Sequence, residues 1–150
     1  MARSRDLTPE AEIARDCLAT RLRLLNRRVT NIYDDALRPL GIRVSQMNIL
    51  VAIAAAGPLR AVDVASHLHL DASTLSRDLE RLLELSWIEV ISGESRKRLL
   101  QATPRGREMI AKALPRWREA QRRARQVLSP SAAAAITRAV ESLQQTENPE

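Results

Sequence analysis

The chain has 150 residues and a formal net charge of +6, and its 45% apolar and 28% charged content is that of one folded domain, not of a disordered segment. With no Phe, one Tyr and two Trp the core has to be aliphatic, and four glycines leave little room for phosphate-cradling loops or a turn-rich β fold. A single cysteine, Cys17, excludes an intramolecular disulfide and a cysteine-based metal cluster.

The first residues, MARSRDLTPEAE, carry charges where a signal peptide would have its apolar segment. The longest apolar run, ILVAIAAA at 49–56, is far short of the roughly 20 residues a membrane helix needs. A cytoplasmic protein with no membrane partner is expected. Of the 24 basic residues 22 are Arg, which favours polyanionic partners, but the balance is uneven along the chain. Residues 1–40 carry +2, residues 41–103 are neutral and residues 104–150 carry +4. Bulk charge therefore does not single out the middle of the chain, and the placement of individual residues has to.

The first element opens at Thr8-Pro9-Glu10, with a capping hydroxyl, Pro at the first helical position and an acid against the helix dipole. Leu18, Leu22, Leu25, Val29, Ile32 and Ala36 then step by four and three, so one continuous helix is expected up to Pro39. A second helix covers Ser45–Ala56 and closes at Gly57-Pro58. A third runs over about Arg60–Leu68, and a fourth over about Ala72–Leu85. Two short strand-like runs follow, Trp87–Ile91 and Arg98–Ala102, around a basic tip of Arg96, Lys97 and Arg98. Thr103-Pro104 repeats the helix-start signal and opens a fifth helix striped by Ile110, Ala113, Trp117, Ala120 and Ala124. Ser129-Pro130-Ser131 opens a sixth, with Ala133, Ile136, Val140 and Leu143 on one face.

The segment 61–85 carries the chemistry. Val62, Ala65 and Leu68 place an apolar face on the first of its two helices, and Asp71 is positioned to cap the second. Leu75, Leu79 and Leu82 form the inner face of that second helix, leaving Ser73, Thr74, Ser76 and Arg77 outside. This is the patterning of a helix-turn-helix, in which a supporting helix presents a recognition helix to the major groove. Short hydroxyls allow close approach, the helix N-terminus favours a phosphate, and an Arg can bond guanine O6/N7 or a phosphate. Asp78, Glu80 and Glu84 confine any duplex contact to the first turns, and Arg81 suits pairing on the helix surface. A β-ribbon bearing Arg96, Lys97 and Arg98 directly afterwards reads as a wing that reaches a minor groove or its phosphates.

With these elements in place the chain resembles the MarR family of winged helix-turn-helix regulators. The resemblance rests on Leu37, Leu40, Gly41 and Ile42 before the second helix, Gln46 within it, the STLSR run at 73–77 and the TPRG at 103–106. The expected fold is mainly α: about six helices plus a small β-hairpin wing, as a single domain over 1–150. Within it, 41–103 is the winged helix-turn-helix block, and 8–38 and 104–146 are long dimerisation helices. The resemblance implies a homodimer on a pseudo-palindromic operator in double-stranded DNA, usually repressing and often released by a small effector or an oxidant. It implies no cofactor. Three positions depart from the family pattern: Glu94-Ser95-Arg96 stands where Asp-x-Arg is usual, the wing is shorter, and Ser86 replaces a common Gly.

Cys17 is a candidate redox residue, but relative to Tyr33 the register of the family's peroxide-sensing cysteine falls on Ala19, and Val44 matches the second partner Tyr. Its neighbours Ile13 and Leu24 suit a small buried hydrophobe. Asp63, His67 and His69 come nearest to a metal-ligand set, yet imidazoles two apart face different ways on a helix, so no metal site is assigned. With no Ser/His/Asp arrangement, paired carboxylate or phosphate loop, enzymatic activity is not expected. Two other readings stay open: a winged-helix protein–protein adaptor, which the neutral 41–103 block would suit, and a sequence-indifferent, nucleoid-type DNA binder.

Overall fold

The computed structural model describes residues 8–94 and 97–147. Among the described residues seven α-helices and one antiparallel hairpin follow one another as α1 (Pro9–Asp16), α2 (Leu18–Leu37), a 3-10 turn (Arg38–Leu40), α3 (Val44–Ala56), α4 (Ala61–Leu68), α5 (Ala72–Glu84), β1 (Ile88–Ser92), β2 (Arg98–Ala102), α6 (Pro104–Leu128) and α7 (Pro130–Glu147). The expected mainly α winged-helix architecture is present.

The one additional helix comes from a break. The continuous first helix expected from the stripe is interrupted at Cys17, whose ψ of 106° turns the chain out of helical geometry between α1 and α2. No residue of α1 is buried, so nothing holds it in line with α2. Thr8 occupies the capping position, but its side chain makes no capping hydrogen bond.

At the other end of α2 the 3-10 turn closes on Gly41 in the left-handed conformation, φ 70°, and reverses the chain into α3. Asp34 of α2 then accepts the Val44 N–H at 2.8 Å, which supplies the first turn of α3 with a partner from the preceding helix. The central core forms around α3. Ile49, Leu50 and Ile53 are sealed from solvent, and against them pack Val64 of α4, Leu75 and Leu82 of α5, Ile88 of β1, Leu100 of β2 and Ala113 of α6. On α4 the inward residue is Val64, with Ala65 and Leu68 beside it; Val62, expected inside, is 61% exposed. Val62 and Val64 lie about 200° apart on a helix, and Val64 shares the inward face with Ala65 and Leu68, so Val62 is turned to water.

The hairpin pairs Ile88 with Ala102 through to Ser92 with Arg98. It is not left to stand alone, since Leu59 in the α3–α4 loop exchanges both backbone hydrogen bonds with Leu100, at 2.7 and 3.0 Å. The base of the wing is therefore fastened to the helical block.

The join between α5, the wing and α6 is the tightest corner of the molecule. Ser86 ends α5 in the left-handed region at φ 57°, with Trp87 N–H bonded back to Leu82 O at 3.0 Å, the arrangement that normally calls for Gly. Thr103 donates its hydroxyl to Ser86 O at 2.7 Å and accepts Gly106 N–H at 3.0 Å, so one side chain closes the turn and caps α6. Gly106 lies so close to β1 that a Cβ there would meet Trp87 O at 2.0 Å.

The terminal helices form a second, smaller core. Ile32 of α2 is covered by Ala120 and Ala124 of α6, and the Tyr33 hydroxyl donates to Gln121 across the same contact. Beyond it the apolar stripes run on uncovered, with Leu18 68%, Leu22 56%, Val127 52% and Leu143 65% exposed. Among the described residues no single helix is long and apolar enough to cross a membrane.

Two substitutions at the tight corner should act with opposite signs. Gly106→Ala forces the β1–α6 contact apart and is expected to cost about 1–3 kcal/mol in denaturant unfolding. Ser86→Gly removes the left-handed penalty and is expected to gain roughly 0.5–1 kcal/mol in the same measurement.

Candidate nucleic-acid interface

The site is built from α4, the turn after it, α5 and the wing. Arg60 opens α4 and grips Asp63 through two guanidinium hydrogen bonds of 2.8 and 2.7 Å, while its own N–H bonds the same carboxylate at 3.3 Å. These bonds hold the Asp63 carboxyl below its ordinary value, with a smaller contribution from the charge of Lys97. Asp63 serves Arg60, and His67 is exposed on the outer side of the helix. The left-handed residue His69 ends α4, and Leu70 N–H returns to Ala65 O at 2.9 Å before the chain enters α5.

On α5 the leucines fall inside as the spacing requires: Leu75, Leu79 and Leu82 are all buried. Ser73, Thr74, Ser76 and Arg77 are all exposed, so the structure brings these four expected residues together on the outer face of the first turns. Asp71 is the cap. It accepts Thr74 N–H at 2.9 Å, Ser73 Oγ–H at 2.6 Å and Thr74 Oγ1–H at 2.7 Å. Those bonds, Ser73 first and then Thr74, hold its carboxyl far below the usual carboxylate range.

This cap changes one expectation. The α5 N-terminus was expected to favour a phosphate, but the Asp71 carboxylate already takes the first-turn N–H and places a negative charge at the helix end. Arg81 pairs with Glu84 at 3.1 Å, as its position suggests, while Arg77 makes no ion pair among the described residues.

Behind the exposed face, α5 is held by a link that sequence reading did not anticipate. Gln46 of α3 donates to Asp78 Oδ1 at 3.2 Å and accepts Arg43 N–H at 3.2 Å, and Asp34 of α2 holds the neighbouring Val44 N–H. The only signal in the sequence was the Gln three residues after Arg43, a helix-start spacing. Between these helices lies a cavity of about 820 Å³ whose lining includes Asp34, Arg38, Arg43, Gln46, Arg77 and Arg81.

In the wing, Gly93 N–H bonds Lys97 O at 2.8 Å, and Lys97 and Arg98 are exposed. Arg96, the third basic residue expected there, lies outside the described residues together with Ser95. Cys17 lies outside α4, α5 and the wing. It is half-buried at the α1–α2 break and is not the helix-interior hydrophobe expected; bonds from the Thr20 side chain and then from its backbone lower its thiol pKa.

Known proteins place this arrangement. Residues 40–99 match the model of the MarR family. The multiple antibiotic resistance protein MarR of Salmonella typhimurium is 33% identical over 85 residues, which span 55% of this chain and 59% of that protein. The crystal structure of the M. tuberculosis transcriptional regulator MosR in complex with DNA is 26% identical with a TM-score of 0.73, covering 88% of this chain and 96% of that one. BpsR of Bordetella bronchiseptica, whose structure concerns regulation of DNA binding by 6-hydroxynicotinic acid, shares the fold at 22% identity and a TM-score of 0.75, covering 87% and 95%. The helix-turn-helix, the tethered wing and the long flanking helices resemble those of the MarR family, whose model matches residues 40–99 of this chain.

Proposed function

We propose that the chain is a sequence-specific DNA-binding transcriptional regulator, acting as a dimeric repressor that a small effector releases, and not an enzyme. The observation that carries this reading is the exposed Ser73, Thr74, Ser76 and Arg77 on a helix whose opposite side is locked into the core, next to a wing presenting Lys97 and Arg98. An α-helix of this kind fits the major groove, and a basic ribbon beside it reaches backbone or minor groove. The MosR structure holds DNA on the same fold. A chromosomal partner sets the site of action in the cytoplasm.

The dimer follows from the exposed stripes. Apolar side chains of α1, the first half of α2, the end of α6 and α7 have no cover in one chain, and a second copy is the simplest cover for a face this extended. In this division 8–38 and 104–146 join the protomers and 41–103 meets a pseudo-palindromic operator. The polar cavity between α2, α3 and α5 is where an effector would act, because a ligand there touches both the recognition helix and the helix that caps α3. Its charged lining suits a small polar or ionised molecule; BpsR responds to 6-hydroxynicotinic acid.

A salt titration on random and selected duplexes tests the whole reading. Sequence-specific binding with strong salt dependence is expected; no affinity at low salt would favour the adaptor, and equal affinity for all duplexes the nucleoid-type binder. Arg77→Ala should cost about 1–3 kcal/mol on the operator and relax preference at one base position. Lys97→Ala should weaken all sequences alike and reduce the salt slope by about one. Leu143→Asp should weaken the dimer at least about tenfold in sedimentation equilibrium, since it removes an apolar side chain from the joined face; an unchanged dimer would move the interface elsewhere.

A further inference from the structure

The hydroxyls at the tip of α5 have their protons already committed. Asp71 is acceptor-only when ionised, and its hydrogen bonds keep it ionised throughout the physiological range. Ser73 Oγ at 2.6 Å from Oδ1 and Thr74 Oγ1 at 2.7 Å from Oδ2 must therefore be the donors in those contacts. A hydroxyl has one proton and two lone pairs, so what each side chain has left to offer is lone pairs alone. Both residues are exposed, so those lone pairs face outward from the same first turn that would enter the groove.

Ser and Thr are usually sequence-tolerant in the major groove because a free hydroxyl can donate to one base and accept from another. Here that freedom is gone. We propose that Ser73 and Thr74 act as obligate hydrogen-bond acceptors, so that they select bases presenting an amino group in the major groove, adenine N6 or cytosine N4, and reject guanine and thymine, which present O6 and O4. The inference rests on the DNA-binding reading above and deepens it by naming what the recognition helix reads.

Arg77 completes the pattern with the opposite polarity. It has only donors, lies three and four residues beyond Thr74 and Ser73 on the same helix face, and has no ion pair among the described residues to divert it. Its natural partner is the O6/N7 edge of guanine. The helical rise separates these groups by about 4.5–6 Å, or one to two base steps of about 3.4 Å. The half-site signature is thus an A-or-C position one or two steps from a G.

The decisive variant is Asp71→Asn. Asn caps helices as well as Asp does, so the fold is retained. With its carbonyl oxygen kept on Thr74 N–H, its amide nitrogen replaces the oxygen that held Thr74 Oγ1, and an NH2 there donates where a carboxylate accepted. Thr74 then accepts from residue 71 and its own proton swings outward, turning an acceptor into a donor.

Binding-site selection from random duplexes, run on the full-length chain and on Ser73→Ala, Thr74→Val and Asp71→Asn, tests this, with thermal melts confirming that each variant folds. Thr74→Val should erase the preference at one position of each half-site, and in the wild type that position should hold A or C. Asp71→Asn should shift the same position toward G or T by roughly three- to tenfold in relative affinity. Replacing the adenine there by purine, which lacks the amino group, should weaken wild-type binding by a similar factor. A G or T at the position Thr74→Val erases overturns the proposal, as does no change at any position in Ser73→Ala and Thr74→Val, or an Asp71→Asn motif identical to wild type. In those cases the regulator reading stands if Arg77→Ala still relaxes its own position; a wild type that binds no duplex, or all alike, removes both.

Discussion

The orientation of α5 depends on burying Leu75, Leu79 and Leu82 at once. Fully burying a leucine stabilises by about 1.5–3 kcal/mol, against about 0.5–1.5 kcal/mol for an ordinary hydrogen bond. Three leucines on one side therefore outweigh any polar preference at the tip. A rotation by one residue, about 100°, would swing Ser76 toward the core and expose a leucine. The outward display of Ser73, Thr74, Ser76 and Arg77 is thus decided from inside the protein, before any partner is present. The Gln46–Asp78 hydrogen bond adds register along the helix to that rotation.

The wing owes its position to a different kind of constraint. A two-stranded hairpin is marginal alone, and this one gains a third backbone partner in Leu59 and a closed corner at Ser86, Thr103 and Gly106. The left-handed Ser86 carries a conformational cost of about 1–2 kcal/mol, and the Thr103 hydroxyl on its carbonyl helps hold it there. The consequence is geometric. Helix α5 ends, turns and becomes β1 within three residues, so α5 and the wing belong to one packed unit and present themselves together.

Most of the architecture was legible because it is written in local signals. Period-3.6 stripes, Thr-Pro starts and the strand-like runs at 87–91 and 98–102 located every helix of the middle block and the hairpin to within a residue or two. What escaped depends on long-range packing or on absence of it. The break at Cys17 follows no Pro or Gly, and α1 has no buried residue to keep it aligned. Val62 and Val64 are equally apolar, and the packing of Val64 with Ala65 and Leu68 against the core decides which one faces water. In the site, the outer residues of α5 and the Asp71 cap could be read from spacing. That the same carboxylate also takes both hydroxyl protons could not, because that depends on distances and rotamers at residues two and three positions away. The Gln46–Asp78 link joins residues 32 apart and carries no local signature.

The neutral charge of residues 41–103 looks at first like an argument against a polyanionic partner. The structure shows how four of its seven acidic residues are engaged. Asp63 is held by Arg60, Asp71 by the first turn of α5, Asp78 by Gln46 and Glu84 by Arg81. A paired or internally hydrogen-bonded carboxylate projects a weaker field than a free one, and beyond about 8–10 Å solvent and salt screen what remains. Arg77 and Arg98 have no ion pair among the described residues, and both are exposed, one beside the hydroxyls of α5 and the other in the wing. A duplex bound as proposed would meet their charge at contact distance, where the sum over sixty other residues has little weight. The acids position the surface, and the two arginines with Lys97 set its sign.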